Sequence, residues 1–472
     1  MCYMRAVNTG EDTTLSQIVS LVERAQSGKA PVQEYADKIS SIFVPIVLGI
    51  SALTFAIWGT LCYHDKIPAS WSADDSYMIL PAKFAIATLV IACPCALGLA
   101  APTAVMVGTG VGAKNGILIK GGEALESASK IDTAIFDKTG TLTKGKPVVK
   151  VFEPMEGMTK QKELEKLLFL SCCAEKSSEH PLATAIAIYC VSELERYASP
   201  LIRKIYSPSE FRAVTGKGIS CVVDGSKVDI GNRPFMEISG VRLGEAVERR
   251  LVDIENGGLT VIVIAVEGKL KAICGLSDEL KSDSPSTIRQ LHSMGIQCWM
   301  VTGDNARTAR AIGKQVGIPD DRIVAGALPA TKVKKVDSLQ RQGRVVCMVG
   351  DGINDSPALI QANVGIAIGA GTDIALESAS IVLVRNCVYD VVAAIQLSRA
   401  TFSRIKLNFL WALGYNTLMI PVAAGAFYSR WHVLLPPWLA SLAMALSSIS
   451  VVLSSLHLKR WKNRWRVEID EA

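Results

Sequence analysis

The sequence predicts a multi-pass α-helical membrane protein with a large cytoplasmic α/β domain, into which a smaller α+β domain is inserted. Three observations point there. Four apolar stretches reach the roughly 20 residues that a helix needs to cross a bilayer. A polar segment of about 109–402 separates them into two pairs. Within that segment, short apolar runs alternate with helical patterns, as a parallel sheet requires. The composition agrees: 49% of the 472 residues are hydrophobic and only 20% are charged, and the mean hydropathy is +0.30. Disordered chains have the opposite bias. A net charge of +6 is too small to mark a nucleic-acid binder. Twelve cysteines in so long a chain suggest a reduced cytosolic face rather than a disulfide scaffold.

Taken in order, Met1–Gly10 carry no apolar run, so no secretory signal is expected. The four spans are Phe43–Tyr63, Phe84–Val107, Asn408–Tyr428 and Leu434–Leu456, which places hairpins at 39–108 and 403–458. Basic residues set the orientation. Lys114 and Lys120 follow the second span, and Arg399, Arg404 and Lys406 precede the third. Lys459, Arg460, Lys462, Arg464 and Arg466 follow the fourth, whereas the short loop Asp65–Pro81 carries Asp65, Asp74 and Asp75 against Lys66. The large loop and both termini are therefore expected in the cytoplasm. The tail at 459–472, with Trp461 and Trp465, reads as an anchor on anionic lipid rather than a nucleic-acid patch.

In the polar segment, Thr133–Phe136, Ile296–Val301, Val345–Val349, Val364–Ile368 and Ile381–Val384 read as buried strands. Ser286–Met294 and Arg307–Val316 read as helices between them. An insertion of about 147–268, with its own run Thr260–Val266, separates a first part at 109–146 from a second at 269–402. Three polar motifs begin where strands end: Asp137-Lys-Thr-Gly-Thr-Leu-Thr143, Thr302-Gly-Asp304 and Gly350-Asp-Gly-Ile-Asn-Asp355. Open parallel sheets bind ligands beyond the carboxyl ends of their strands, so the three motifs are expected to converge.

The stretch DKTGTLT, with TGD and GDGIND downstream, resembles the P-type ATPases and their haloacid-dehalogenase-like phosphorylation domain. The resemblance implies that Asp137 takes the γ-phosphoryl of ATP as an aspartyl phosphate, a covalent route that splits one hard step in two. It further implies Mg²⁺ on the Asp137 and Asp351 carboxylates with the Thr139 carbonyl. Lys332 would neutralise phosphate. Thr302 and Asn354 would bond phosphate oxygens and Asp355 would orient the site, with Lys138, Gly303 and Asp304 completing the motifs. Related phosphatases carry an acid/base Asp two residues after the nucleophile. Here Thr139 stands there and cannot deprotonate water.

The insertion resembles the nucleotide-binding domain of the heavy-metal subfamily. Ser178-Glu-His-Pro-Leu182 matches its signature, which implies that His180 packs on adenine beside Glu179. Gly216, Gly218, Ile219, Gly231 and Asn232 match the glycine-rich parts of the same pocket. The adjacent Cys172 and Cys173 read as core residues.

Cys93-Pro94-Cys95 lies within the second span. Proline removes a backbone hydrogen bond and frees carbonyls at mid-membrane depth. Two thiolates beside such a break favour a soft cation such as Cu(I). The motif resembles that of heavy-metal pumps, whose members also carry Zn²⁺ and Cd²⁺. Tyr415-Asn416 and Met444 through Ser448 match the copper pattern, and the last two spans contain no acid for a divalent ion. The expected Cu(I) ligands are Cys93, Cys95, Tyr415, Asn416, Met444 and Ser448, with a cytosolic copper chaperone as donor and no nucleic acid as partner.

Pumps of this family have eight spans and an actuator domain with a Thr-Gly-Glu loop before the third. Thr9-Gly10-Glu11 imitates that loop. The run that follows it, with Lys29-Ala-Pro31, matches the segment just before the third span, so 1–38 reads as the end of the actuator and its linker. Gly157-Met-Thr159 imitates a copper-binding GMTCxxC motif, but Lys160 replaces its first cysteine. The expectation is the carboxyl-terminal part of a copper pump. The competing readings are a divalent-metal pump and a non-pumping membrane protein that binds ATP and metal.

Overall fold

The computed structural model describes residues 31–64, 66–67, 78–155, 161–178, 180–214, 216–351, 355–369, 377–431 and 434–461. It divides into two compact units. One holds the chain up to Ile131 together with Ser380–Arg385 and the chain from Asp390 onward; the other holds Asp132–Ala379 with Asn386–Tyr389.

The first unit is mainly helical. Its elements are α1 (Pro31–Tyr63), α2 (Ile79–Ile91), α3 (Cys95–Lys114), β1 (Ile117–Ile119) and α4 (Gly121–Ser129). The helices Asp390–Ala423 and Pro437–Leu456 complete it. Among the described residues, three helical stretches are long and apolar enough to cross a membrane: Lys38–Tyr63, Ile79–Lys114 and Pro437–Arg460. They answer the first, second and fourth expected spans. The second runs through a break, because Pro94 has no N–H to continue α2 into α3. The third expectation, Asn408–Tyr428, is helical as far as Ala423 but is not among these three. The chain there belongs to a 34-residue helix that stops at Ala423, and Asn408, Tyr415, Asn416 and Thr417 dilute its apolar character.

Asn408 explains how such a helix tolerates polarity. It is 1% exposed. Its Nδ2 donates to the Ala100 carbonyl (3.3 Å) and the Ser455 hydroxyl (3.0 Å), while Ser454 Oγ donates to its Oδ1 (2.7 Å). Ser455 Oγ also meets Thr103 Oγ1 at 2.9 Å. Three helices are thus joined by a polar cluster whose members satisfy one another, the usual condition for polar groups at membrane depth.

Strand Ile381–Leu383 pairs antiparallel with β1, which the sequence reading did not anticipate. In the second unit, β2 (Thr133–Asp137) leads to the long β3 (Thr143–Pro154), α5 (Gln161–Glu175) and α6 (Pro181–Arg196). Strands β4 (Ser209–Val214), β5 (Gly218–Val223) and β6 (Ser226–Gly231) follow, then α7 (Arg233–Ile238) and α8 (Glu245–Asn256). Next come β7 (Thr260–Val266), β8 (Lys269–Leu280), α9 (Ser284–Ser293), β9 (Gln297–Val301) and α10 (Ala306–Val316). The unit closes with β10 (Ile323–Val324), α11 (Pro329–Arg341), β11 (Val346–Gly350), α12 (Ser356–Gln361) and β12 (Val364–Ile368).

Strands β12-β11-β2-β9-β10 form a parallel sheet in that order. All residues of β2, β11 and β12 are buried, as covering helices on both faces of such a sheet demand. The inserted lobe is a six-stranded antiparallel sheet, β3-β8-β7-β6-β5-β4. Side-chain alternation divides its core in two. Ile219, Cys221, Val228, Ile230 and Ile264 face α5 and α6, while Val261, Val263, Ala265 and Ile273 face α7 and α8. This sheet takes in Thr143–Pro154 and Lys269–Leu280, so it reaches beyond 147–268 at both ends. Cys172 and Cys173 lie in its core, and burial pushes the Cys172 thiol up to about 11.

Replacing Asn408 removes its three side-chain hydrogen bonds. At about 0.6 kcal/mol per bond within a membrane bundle, Asn408→Leu should cost roughly 2 kcal/mol. That is to be read as a lower Tm of the detergent-solubilised chain; an unchanged Tm would contradict this role.

Candidate active site

The parallel sheet delivers Asp137, Thr302 and Asp351 at or just past the carboxyl ends of β2, β9 and β11. Strands β2 and β9 pair in register from Thr133↔Gln297 to Asp137↔Val301, and β11 flanks β2 on the other side. Asp137 leaves its strand in extended conformation, and Gly140 then takes φ +73°, which turns the chain over the sheet edge. A Cβ on Gly140 would lie 3.1 Å from Asp351 Oδ2, so the Asp351 carboxylate packs against this turn.

Lys332, on the first turn of α11, joins the acids. Its Nζ donates to Asp137 Oδ1 at 2.7 Å and to Asp355 Oδ1 at 2.6 Å. All three are buried, Asp355 completely. Gly350 makes room for Asp355, since a Cβ there would lie 2.5 Å from Asp355 Oδ2. Burial, then the neighbouring Asp355, raises the Asp137 pKa to about 7 against the opposing pull of Lys332. Burial likewise raises Asp355, with Lys332 again opposing. For Lys332, burial works against the charge, but the two carboxylates outweigh it and its pKa is raised.

Lys138 and Asp304 also meet, Nζ to Oδ2 at 2.5 Å, which ties the first motif to the second. Thr302 is fixed by main-chain bonds to Val324 and Ala327, and its Oγ1 accepts from the Asp304 N–H (3.1 Å). Thr139 and Gly303 are exposed at the rim. Asn354 lies outside the described residues.

Sequence reasoning missed the residues that brace the Asp137 loop. Lys281 Nζ donates to the Gly140 carbonyl (2.9 Å), its N–H donates to Leu142 O (3.0 Å), and Ser284 Oγ also donates to Leu142 O (2.7 Å). Thr143 Oγ1 donates to Asp278 (2.5 Å). Asp278, near the end of β8, and Lys281 and Ser284, just after it, look like ordinary polar residues in sequence, with nothing local to mark that they reach the Asp137 loop.

In the inserted lobe, β5 and β6 pair Gly218 with Gly231. A Cβ on either would meet Phe235 and main-chain oxygen within 2.7 Å, so glycine is required at both. Asn232 Nδ2 donates to Gly216 O (3.0 Å), and its Oδ1 caps α7. The Gly216–Ile219 and Gly231–Asn232 segments are therefore one patch. His180 is exposed and caps α6 through Nδ1. Among the described residues, no hydrogen bond links it to that patch. Glu179 lies outside the described residues. Glu175, not singled out from sequence, is buried at the end of α5, and burial raises its pKa to about 7.

In the helical unit, Cys93 and Cys95 are paired as a disulfide across Pro94, with Cα atoms 5.6 Å apart. The sequence reading expects separate thiols; the proline turn brings their Cα atoms within disulfide range. Cys93 is half-buried and Cys95 exposed. One apolar cluster lies before the break (Ala87, Ile91, Ala423, Ala440) and another after it (Ala96, Leu97, Ala100, Ala412, Val451). On the later helices, Tyr415, Asn416, Met444 and Ser448 fall between residues of these two clusters, so they share the level of the Cys-Pro-Cys turn. Asn416 is buried and Met444 and Ser448 are half-buried. The Thr9–Glu11 and Gly157–Lys160 segments, and the tail beyond Trp461, lie outside the described residues.

A parallel sheet with aspartates at its strand ends, an inserted lobe and a helical unit broken at Cys-Pro-Cys define a phosphotransfer domain joined to membrane helices. The haloacid dehalogenase-like hydrolase family profile matches residues 131–363. The solved structure of a zinc-transporting PIB-type ATPase in the E2.Pi state superposes with a TM-score of 0.68 at 32% identity, covering 96% of this chain and 68% of that one. The chain belongs to the PIB-type ATPase family. It is 47% identical to "Copper-transporting ATPase RAN1" of Arabidopsis thaliana over 98% of its length and 47% of that protein's. With "Copper-transporting ATPase 2" of Mus musculus it shares 44% identity over 97% of its length and 33% of that protein's. The chain thus spans about half the length, or less, of the curated relatives it matches.

A carboxyl whose pKa rises on folding favours the folded state most below its unfolded value, and loses that contribution as pH rises through the folded value. For Asp137 the window runs from 3.8 to about 7. In magnesium-free buffer, the Tm of Asp137→Asn relative to the unsubstituted chain should therefore rise across that window and level off above it. A difference that shrinks with rising pH would refute the assignment.

Proposed function

We propose that this chain is the catalytic part of an ATP-driven Cu(I) translocase working through an aspartyl phosphate. The observation that carries the reading is Asp137 at the end of β2, held 2.7 Å from the buried Lys332 ammonium beside Asp351. In this reading a carboxylate oxygen of Asp137 attacks the γ-phosphorus of ATP, the bond to the bridging oxygen breaks, and ADP leaves. Lys332 neutralises charge gathering on the phosphoryl oxygens. Thr302 and Asn354 bond those oxygens, Lys138 and Asp304 hold the loop rims together, and Asp355 fixes Lys332. Asp137 and Asp351, with the Thr139 carbonyl, would hold Mg²⁺, whose charge stabilises the transferring group. Two hard carboxylates packed against one glycine turn suit that ion. Thr139 supplies no base, so the phosphoenzyme persists until a base from elsewhere reaches it.

The glycine patch at Gly216, Gly218, Ile219, Gly231 and Asn232, with Glu179 and His180, would bind the nucleotide. Glycine at 218 and 231 lets the two paired strands and Phe235 pack closely, which fixes the shape of the patch. Reduced, Cys93 and Cys95 present two adjacent sulfurs level with Tyr415, Asn416, Met444 and Ser448. The Met444 thioether suits Cu(I) and offers little to Zn²⁺. The copper-transporting relatives at 44–47% identity support this choice over the zinc-transporting neighbour at 32%. The large loop would face the cytoplasm, where a copper chaperone would deliver the ion, and the basic tail would rest on anionic lipid.

Incubation with γ-labelled ATP should give an acid-stable, hydroxylamine-labile label that Cu(I) stimulates and Zn²⁺ does not. Asp137→Asn should abolish it, and Cys93→Ser/Cys95→Ser should abolish only the stimulation. Equal labelling of Asp137→Asn would overturn the phosphoenzyme, and stimulation by Zn²⁺ instead of Cu(I) would overturn the substrate.

A further inference from the structure

We propose that Glu255 is a positioning residue that locks the nucleotide patch of the inserted lobe to the Thr302–Asp304 motif of the phosphorylation lobe. The inference rests on the reading above, in which nucleotide held by one lobe phosphorylates Asp137 in the other.

Glu255 is the penultimate residue of α8, and its side chain is 3% exposed. One carboxylate oxygen accepts from Arg233 Nη1 (2.5 Å) and Asn305 Nδ2 (3.1 Å), and the other accepts from Arg307 Nη1 (2.8 Å). Arg233 directly follows Asn232 of the glycine patch, and its Nε also donates to Glu248 (2.9 Å). Asn305 directly follows Asp304, and its own oxygen caps α10 by accepting from the Arg307 and Thr308 N–H groups.

Contacts therefore run unbroken between the two sites. Gly216 is bonded to Asn232, the neighbour of Arg233; Arg233 is bonded to Glu255; Glu255 is bonded to Asn305, the neighbour of Asp304; and Asp304 is paired with Lys138, next to Asp137. A second tie, Thr308 Oγ1 to the Leu259 carbonyl (3.1 Å), joins α10 to the inserted lobe beside it.

Charge-assisted bonds to a buried carboxylate are strong and directional. Removing the anion leaves two guanidiniums facing each other with only Glu248, on the Arg233 side, as counter-charge, which weakens the tie between the segments. Phosphoryl transfer depends on placement within about 1 Å, and a misplacement of that size costs on the order of 100-fold in rate. Neither the pocket nor the reacting groups contain Glu255. Its loss should therefore slow transfer from bound ATP while sparing both ATP affinity and the chemistry at Asp137.

The test uses the full chain with Glu255→Gln, and Arg307→Gln as a second variant. Maximal phosphorylation from ATP should fall on the order of 10- to 100-fold. KM for ATP should change less than about threefold, since uniform binding is untouched. Labelling of Asp137 by inorganic phosphate, which needs no nucleotide, should equal that of the unsubstituted chain. Labelling from ATP at the unsubstituted rate would overturn the proposal. Equal loss of both reactions would overturn it too, leaving Glu255 a residue of the fold alone. If the unsubstituted chain takes label from neither donor, the phosphoenzyme reading fails first and the proposal with it.

Discussion

One buried lysine holds the chemistry of the second unit together. The Lys332 ammonium bridges Asp137, at the end of β2, and Asp355, at the start of α12, two carboxylates that burial would otherwise drive toward protonation. Without that cation the parallel sheet would gather acids at one edge with nothing to balance them. With it, the acids sit close together and buried, and the Asp137 pKa lies at about 7. The cost of burying like charges is offset locally by geometry, and the geometry follows from three strands ending side by side.

The helical unit solves a related problem with neutral groups. At Pro94 the helix must break, and apolar clusters on either side of the break hold the surrounding helices in place. Further along, Asn408 and its serine partners satisfy one another, so a helix too polar to qualify by hydropathy still packs tightly. Polarity enters this bundle at two levels. One is closed by hydrogen bonds. The other, at Cys93–Cys95, Asn416 and Met444, carries the sulfur groups that a soft cation prefers.

How much could be read from sequence depended on whether a feature is local. Asp137, Thr302 and Asp351 were legible because each follows an apolar run that can only be a buried strand. Gly218 and Gly231 were legible as a pair only through resemblance; their need for glycine comes from Phe235, four residues beyond Gly231. Lys281, Asp278 and Glu255 left no local trace. Their partners lie far along the chain, and charged residues on a helix or after a strand look like solvated surface. The antiparallel pairing of Ile381–Leu383 with Ile117–Ile119 escaped notice because three-residue strands carry almost no periodicity. The third expected span is helical as far as Ala423, and its buried Asn408 and Asn416 lower its hydropathy without exposing polar groups.

The central claim is that Lys332 is required because Asp137 and Asp355 are charged and buried beside it. A stability cycle tests this most directly: Lys332→Met is made in the unsubstituted chain and again in the Asp137→Asn/Asp355→Asn background. Removing one partner of a buried ion pair costs roughly 3–5 kcal/mol, and that loss is expected in the unsubstituted chain. With both acids neutralised, less than about 1 kcal/mol should remain. An equal loss in both backgrounds would show that Lys332 acts through packing alone and would contradict the claim.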